Sequence, residues 1–280
     1  LIKKNKLISQ LEKEITLRYL KTRKKDGFLN VISIFSFIGI SLGVAVLIIV
    51  MSVMNGFRTE LVEKIVGFNP HAVIKPYDLP INESLFNDKD LIKLSNTFVY
   101  SNSGEGVLIN KDYTKGLLLR GYLSKDFEKL PVVKSVNFYG NKKLNPKFIS
   151  IGKELSFNYD IKVGDKVLIM APNGVQTIIG NLPKQESYIV DSIFDSEIAD
   201  FDQNVAFINL NDLENFFDLK SSNRNLEIYL KNPNKIEQQK FIVQEIFDEE
   251  FVVSWADMNS SLFSALKVER NVMFIILSLI

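Results

Sequence analysis

An uncharged, apolar stretch near the N-terminal end constrains this chain more than any other feature. Residues 27–57 read GFLNVISIFSFIGISLGVAVLIIVMSVMNGF and contain no acidic or basic side chain. An α-helix needs about 20 such residues to cross the hydrocarbon core of a bilayer. A secretory signal peptide has a shorter apolar run and a small-residue cleavage site, which residues 51–57 lack. The pattern therefore predicts a transmembrane helix over residues 28–56, in preference to a helix buried in a soluble protein.

The charges on either side of this stretch predict its orientation. Nine basic and three acidic residues precede it, whereas the charged residues just after it nearly cancel, namely Arg58, Glu60, Glu63 and Lys64. Basic residues stay on the cytoplasmic side of a membrane. We therefore expect residues 1–27 to be cytoplasmic and the chain after residue 57 to lie outside.

Residues 1–27 have the pattern of an amphipathic helix with flanking basic residues. Its apolar positions recur at helical spacing: Ile8, Leu11, Ile15 and Tyr19. Such a helix can lie in the membrane interface with its apolar stripe in lipid. The alternative is a solvated tail that orders only against a partner.

Composition excludes several classes of function. The 280 residues carry a formal net charge of only +1, with the basic cluster beside the predicted span, which disfavours nucleic-acid binding. Without cysteine and with His71 as the single histidine, the sequence offers no thiol nucleophile, zinc-thiolate site or nucleophile–base pair. It also lacks the phosphate-loop pattern G-x-x-x-x-G-K-[ST]. We therefore predict no catalytic residue, no metal and no bound cofactor in this chain.

Residues 57–267 alternate irregularly between strand-like and helix-like patterns, which predicts an α+β domain. From residue 271 the chain is again uncharged. Ten residues cannot span a bilayer, but residues 268–280 fit the start of a second transmembrane helix; a buried core helix is the alternative. Because the chain starts without methionine and stops inside this apolar run, we expect both ends to be truncated.

One loop and one acidic cluster of the domain have possible functions. In residues 171–183, APNGVQTIIGNLP, the Asn-Gly pair favours a tight turn and the two prolines resist strand pairing, leaving Val175, Ile178 and Ile179 as an exposed apolar tip. The acidic cluster contains Asp195, Glu197, Asp200 and Asp202. It lacks the glycine and terminal glutamate of an EF-hand, so we interpret it as a solvated acidic face.

Several of these segments carry a resemblance that covers most of the chain in order. The residues concerned are Ile38-Gly39-Ile40, Leu42-Gly43-Val44, Ser52 to Phe57, Leu61, Ile65, Gly67, Gly152 to Leu155, Val163-Gly164-Asp165, Ile193-Phe194, Asp202, Trp255 to Asn259, Leu262-Phe263, Leu266 and Glu269 to Met273. This pattern resembles the LolC/LolE family, the membrane subunits of the lipoprotein-releasing ABC transporter. Between residues 76 and 147 the match is weak.

The resemblance implies a bacterial inner-membrane protein with four spans and a periplasmic domain inserted between the first and second. That domain is expected to be MacB-like, with a Porter-like part and a Sabre-like insertion at residues 148–219. ATP and magnesium would bind to a separate LolD-like ATPase. The other implied partners are a second LolC/LolE-type subunit, in a homodimer or heterodimer, a LolA-like periplasmic chaperone and the lipoprotein substrates.

Three groups of residues become candidate sites on this basis. The loop resembles the hook of LolC-type subunits, which grips the chaperone, and comprises Pro172, Asn173, Gly174, Val175, Gln176, Thr177, Ile178, Ile179, Gly180 and Pro183. Ile178 stands where we expect proline. The predicted cavity for lipoprotein acyl chains comprises Val50, Met54, Phe57, Leu266 and Met273, because methionine and aromatic side chains adapt to irregular apolar ligands. Gly39 and Gly43 are candidates for close packing of transmembrane helices.

Each candidate has an alternative. The hook residues fit an ordinary decorated hairpin, and the apolar residues of the first span fit contact with lipid. For the whole chain, a MacB-like or FtsX-like subunit for efflux or mechanotransmission and a membrane-anchored sensor or binding module remain open. An envelope hydrolase is disfavoured because its catalytic residues are absent from the sequence.

Overall fold

The computed structural model describes residues 10–20, 27–77, 79–110, 113–177 and 180–279. Its contacts divide the chain into two compact units. One consists of Leu1–Thr59 and Ser264–Ile280 and is called the helical unit below. The other, Glu60–Phe263, is called the sheet domain.

Helices α1 (Gln10–Leu20) and α2 (Gly27–Phe68) come first along the chain. Helix α2 is 42 residues long, and its part from Val31 has the length and composition needed to cross a membrane, with a mean hydropathy of 2.8 in its most apolar 18 residues. Only 6% of its most apolar window is buried within the chain. The apolar stretch is therefore helical as predicted, and its side chains face outward.

Helix α2 ends where proline chemistry requires it. The Asn69 N–H still bonds to the Ile65 carbonyl at 2.9 Å, but Pro70 has no N–H to offer. The residue before a proline also disfavours the helical conformation. Helix α2 therefore ends at Phe68, two residues before Pro70, and the first strand begins at Ala72.

The described residues of the sheet domain form one ten-stranded mixed sheet in the order β10-β1-β9-β2-β3-β8-β5-β7-β4, with β6 pairing β2 and β7. The strands are β1 (Ala72–Lys75), β2 (Ser95–Asn110), β3 (Tyr113–Tyr122), β4 (Tyr139–Gly140), β5 (Phe148–Gly152), β6 (Lys166–Thr177), β7 (Gly180–Phe194), β8 (Val205–Asn209), β9 (Asn225–Leu230) and β10 (Phe251–Ser254). Only the β3–β8 and β5–β7 pairs are parallel, and the other pairs are antiparallel. With helices packed around it, the sheet has the predicted α+β class.

The remaining α-helices are mostly short. They are α3 (Lys89–Leu94), α4 (Ser124–Phe127), α5 (Pro131–Lys134), α6 (Lys153–Asn158), α7 (Ala199–Asn204), α8 (Leu210–Phe217), α9 (Ile236–Ile246), α10 (Trp255–Met258) and α11 (Ser260–Leu279), with 3₁₀ turns at Glu83–Asn87, Ser221–Asn223 and Pro233–Lys235. Helix α11 carries Lys267, Glu269 and Arg270. Within the described ranges only α2 meets the membrane-span criterion, so a second span starting at residue 268 stays a prediction.

The structure differs from the sequence pattern where strands are long. Residues 97–100 and 106–109 read as two strands, but both belong to the 16-residue β2. Strand β6 continues past Pro172 to Thr177 instead of giving way to a loop. The expected insertion at residues 148–219 joins the same sheet as the rest of the domain, through the β3–β8 and β2–β6 pairs. Cross-strand partners, which the local pattern cannot show, extend these strands.

Candidate functional site

The predicted hook lies at the end of the β6–β7 hairpin. Strand β6 pairs with β2 only over residues 168–170, and β7 pairs with β5 from Ile189 onward. Beyond Ala171 and Lys184, the described backbone of each arm therefore pairs only with the other arm, up to Thr177 opposite Gly180. This end of the hairpin has no further strand beside it and can be reached by a partner.

Both prolines of the loop fall within an irregularity of the hairpin. Ala171 is opposite Lys184, and Val175 is opposite Leu182, so residues 172–174 face the single residue Pro183. Proline is tolerated in a sheet at such a bulge because no ladder hydrogen bond is required there. Pro172 and Pro183 are exposed. The prediction that they resist pairing holds locally, but pairing resumes beyond them.

The turn itself is further out than the Asn173-Gly174 pair suggests. Those two residues belong to β6 within the bulge, and the register places the hairpin end between Thr177 and Gly180. Gln176 pairs with Asn181 next to that end. Ile178 and Ile179, which we predicted to form part of the apolar tip, lie outside the described residues.

The predicted acyl-chain residues are only partly brought together. Within the helical unit, α2 and α11 line a cleft of about 40 Å³ with Met51, Met54, Asn55, Arg58, Leu266, Glu269 and Met273. Met54, Leu266 and Met273 belong to the predicted acyl-chain cavity. Met51, Arg58 and Glu269 line the cleft but do not belong to that prediction. Val50 and Phe57 are not in the lining, and they are 40% and 55% exposed. A cavity of about 150 Å³ holds one benzene, so this cleft alone is too small for an acyl chain.

The cleft lies along one face of α2. Leu47, Met51, Met54 and Arg58 recur at steps of four, three and four residues, which places them on the same side of a helix. Of the helical-unit side chains that are described, only Leu47 and Leu266 are buried. The two glycines contribute nothing to this contact, since a Cβ at Gly39 or Gly43 would meet no atom within 4 Å. That Gly39 and Gly43 pack against a transmembrane helix of a partner stays a prediction.

A buried network in the sheet domain went unnoticed in the sequence. The Glu227 carboxylate accepts hydrogen bonds from Ser101 Oγ at 2.7 Å, Arg120 Nη2 at 3.1 Å, Tyr122 OH at 2.9 Å and Tyr229 OH at 3.2 Å. These residues come from β2, β3 and β9, which are neighbours in the sheet. Glu227 is 4% exposed and Arg120 is 8% exposed. No local sequence pattern predicts this pair, because 107 positions separate Arg120 from Glu227.

The electrostatics of the network hold each group in one protonation state. Burial lowers the pKa of Arg120, but the facing Tyr122 hydroxyl and Glu227 carboxylate outweigh it and raise the pKa overall. Burial raises the pKa of Tyr122 and of Tyr229 well above the usual value. Both hydroxyls therefore remain donors to Glu227, and the arginine remains charged.

His71, the single histidine, is a structural residue. Its Nδ1 accepts from the Leu230 N–H at 2.7 Å, and its Nε2 lies 3.2 Å from the Val66 carbonyl. Nδ1 must therefore be unprotonated and Nε2 must carry the hydrogen. Burial lowers the pKa of His71, which favours this neutral form. The ring ties the last turn of α2 to β9 and is not available for catalysis.

The interpretation of the acidic cluster at Asp195, Glu197, Asp200 and Asp202 as a solvated face is wrong for Asp202. Its side chain is 2% exposed and accepts from the Ser196 N–H at 2.9 Å. Burial raises the pKa of Asp202 to about 6. Asp195 instead pairs with Lys153 at 2.8 Å. No group of three or more potential ligands for a metal occurs in the described ranges.

Comparison with known proteins supports a family assignment. The lipoprotein-releasing system transmembrane protein LolC of Neisseria meningitidis is 30% identical over 286 residues, which cover 96% of this chain and 67% of that protein. LolE of Haemophilus influenzae is 48% identical over 60 residues, or 21% of this chain and 14% of its own length. No protein-family model matches the sequence.

Among solved structures, the periplasmic region of MacB from Actinobacillus actinomycetemcomitans aligns with a TM-score of 0.41 and 8% identity. The alignment covers 72% of this chain and 97% of that one. The α+β class of the sheet domain rests on its own strand order and helices.

Proposed function

Because the chain belongs to the LolC/LolE family of lipoprotein-releasing transmembrane proteins, we propose that it is a membrane subunit of an ABC-type complex that releases lipoproteins from the bacterial inner membrane. The observation that carries this proposal is the match to LolC over nearly the whole chain. The exposed apolar surface of α2 supports a place in the membrane. The basic residues before α2 support a cytoplasmic N-terminus and a periplasmic sheet domain.

The energy for release would come from a partner. ATP and magnesium bind to a separate LolD-like cytoplasmic ATPase in this proposal, and this chain itself is non-catalytic. Closure of the ATPase would bias the transmembrane helices between two states, as nucleotide-driven switches do. This subunit would cross the membrane several times. The complex would also contain a second LolC/LolE-type subunit, in a homodimer or a heterodimer.

The β6–β7 hairpin is the proposed contact for a LolA-like chaperone that receives the lipoprotein. Its end has no neighbouring strand among the described residues, and its bulge places the exposed Pro172 and Pro183 side by side. Exposed backbone edges and apolar tips are typical of surfaces that recognise another protein. The cleft around Met54, Leu266 and Met273 would form part of the acyl-chain path once a second subunit enlarges it.

Co-purification of the full-length protein in detergent, with mass identification of its companions, tests the proposal first. A cytoplasmic ATPase together with acylated lipoproteins is the expected result. An ATPase without lipoproteins would point to efflux or mechanotransmission. If the protein purifies with no ATPase and no lipoprotein, the result would point to an anchored sensor.

A pull-down with the purified chaperone tests the hook separately. Pro172→Ala and Thr177→Ala should weaken chaperone binding and leave assembly with the ATPase intact. Thr114→Ala is the matched control, because Thr114 is an exposed threonine near the end of the other long hairpin, β2–β3. Unchanged affinity of both hook variants would remove the hook assignment.

A further inference from the structure

A cavity of about 250 Å³ lies in the sheet domain beside the Arg120–Glu227 pair. Its apolar lining includes Phe68, Val73, Leu118 and Phe201. A cavity of about 150 Å³ suffices for benzene, so a small molecule can enter here. The function proposed above does not use this cavity.

Arg120 lines the cavity with most of its hydrogen-bonding capacity unused. A guanidinium has five N–H donors, and here one nitrogen, Nη2, bonds to Glu227. Across the described part of the chain, this guanidinium forms no hydrogen bond to any residue other than Glu227. Its centre lies 5.7 Å from the Phe68 ring, 5.6 Å from Tyr122 and 5.9 Å from Phe207. Three aromatic rings thus surround the guanidinium, and its remaining donors are free to bind an acceptor in the cavity.

Glu227 fixes the arginine without competing for a ligand. Its carboxylate already accepts from Ser101, Arg120, Tyr122 and Tyr229, which fills the roughly four acceptor positions of two oxygens. The four donors come from strands with fixed register, so the arginine is held in place before any ligand arrives. A preorganised donor loses little conformational freedom on binding.

The charges around the cavity favour an anion. Lys75 lines it together with Arg120, so two cations face one carboxylate. The guanidinium fork matches the oxygens of phosphate or carboxylate groups in a bidentate manner. The apolar wall formed by Leu118 and Phe201 can contact a short hydrocarbon chain on the same ligand.

We propose that this cavity binds a small amphiphile with an oxyanion head, such as a phosphate monoester or the phosphate of a lipid headgroup. Arg120 binds the oxyanion through its free donors, Lys75 adds a second positive charge, and the wall around Leu118 and Phe201 covers the apolar part.

Titration of the full-length chain in a neutral sugar detergent, followed by ³¹P NMR, tests the site. The probes are inorganic phosphate, butyl phosphate and dihexanoyl phosphatidylglycerol. Butyl phosphate should bind saturably to the unmodified chain. Arg120→Lys keeps the charge but removes the fork and should weaken binding at least tenfold.

Three further variants keep the test decisive if Arg120→Lys fails to fold. Lys75→Met should weaken binding severalfold, whereas Lys115→Met, on the same sheet but outside the cavity lining, should not. Leu118→Trp fills the cavity from a 39% exposed position and should abolish binding while leaving the ion pair intact.

The probes distinguish the source of the head group. Competition by dihexanoyl phosphatidylglycerol supports a lipid as the ligand, and binding of the two smaller phosphates alone supports a free anion. The proposal is overturned if no probe binds saturably, or if Lys75→Met and Leu118→Trp both bind butyl phosphate as tightly as the unmodified chain does.

Discussion

The helical unit and the sheet domain place their apolar and polar groups in opposite ways. In the helical unit, apolar side chains face outward along α2, with Phe35 71% exposed and Leu42 64% exposed. In the sheet domain, apolar side chains form the core, and the charged Arg120 and Glu227 lie inside it with hydrogen-bonded partners. The first arrangement suits hydrocarbon as the solvent, and the second suits water.

The difference also determines how backbone polar groups are satisfied. A helix satisfies its N–H and C=O groups within one segment, so α2 needs no partner to be stable in lipid. A strand needs a neighbour, and β6 has two kinds of neighbour along its length: β2 and β7 over residues 168–170, but β7 alone further out. Substitutions in α2, inside the sheet domain and at the end of the β6–β7 hairpin should therefore have very different effects.

The largest expected effect concerns Glu227 in the sheet domain. Glu227→Gln leaves the buried Arg120 without its counter-charge, and breaking such a pair costs about 3–5 kcal/mol. A domain of this size would then unfold roughly 6–20 °C lower. Trp255, the single tryptophan, is buried in the domain and reports its thermal unfolding by fluorescence.

Glu245→Gln is the control for this experiment, because Glu245 is exposed on α9. Adding Arg120→Met to Glu227→Gln should recover part of the loss, since it removes the uncompensated charge. Equal melting temperatures for Glu227→Gln and Glu245→Gln would show that the network does not hold the sheet together.

A pair of glycine substitutions compares the two units directly. A Cβ at Gly152 would collide with the backbone of Asp202, whereas a Cβ at Gly39 meets nothing within 4 Å. Overpacking of this kind costs about 1–3 kcal/mol, so Gly152→Ala should lower the unfolding temperature of the domain. Gly39→Ala should leave it unchanged.

Gly116→Ala serves as a second control within the sheet, because its Cβ would also meet open space. If Gly39→Ala reduces recovery of the assembled complex without changing the unfolding temperature, Gly39 contacts a partner helix. A stable Gly152→Ala variant would show that the β5–α7 contact is looser than the structure indicates.

A smaller effect is expected for Asp202, and it depends on pH. The folded chain holds a proton on Asp202 below pH about 6, whereas the unfolded chain releases it near 3.8. The domain therefore loses stability as pH rises from about 4 through 6. Asp202→Asn keeps an oxygen for the Ser196 N–H but carries no charge, so it should unfold several degrees higher than the unmodified chain at pH 8.

Asp202→Asn and the unmodified chain should have similar unfolding temperatures at pH 4, where Asp202 is protonated in the folded protein. Asp200→Asn, two residues away and exposed, is the control and should show no such dependence on pH. The same gain for Asp202→Asn at both pH values would indicate that charge is not the cause.

The smallest effect on stability is expected at the end of the hairpin. Pro172→Ala, at an exposed residue, and Thr177→Ala, next to the end of the hairpin register, should each change the free energy of unfolding by no more than about 0.5 kcal/mol. Thermal unfolding should therefore stay unchanged in the same variants that lose chaperone binding. A clear loss of stability in either variant would mean that the bulge supports the sheet.

Local composition was enough to predict much of this protein. The uncharged stretch alone predicted α2, because the cost of placing a charge in hydrocarbon depends on the residue and not on its neighbours. The end of that helix just before Pro70 has an equally local cause, because the residue before a proline disfavours the helical conformation. The family resemblance, carried by residues such as Ser52 to Phe57, predicted the membership that the relatives confirm. The hook residues were singled out by the same means, and their role stays a prediction.

Only the tertiary structure decided which groups are buried together. Arg120 and Glu227 meet because β9 pairs with β2 and β2 with β3, and no local pattern specifies those pairings. Asp202 looked solvated among its acidic neighbours and is buried by the approach of Gly152. The hairpin continues past two prolines because cross-strand bonds resume beyond the bulge. Helices and membrane spans depend on contacts between near neighbours in sequence, whereas sheet register and buried charge depend on contacts between residues far apart in the chain.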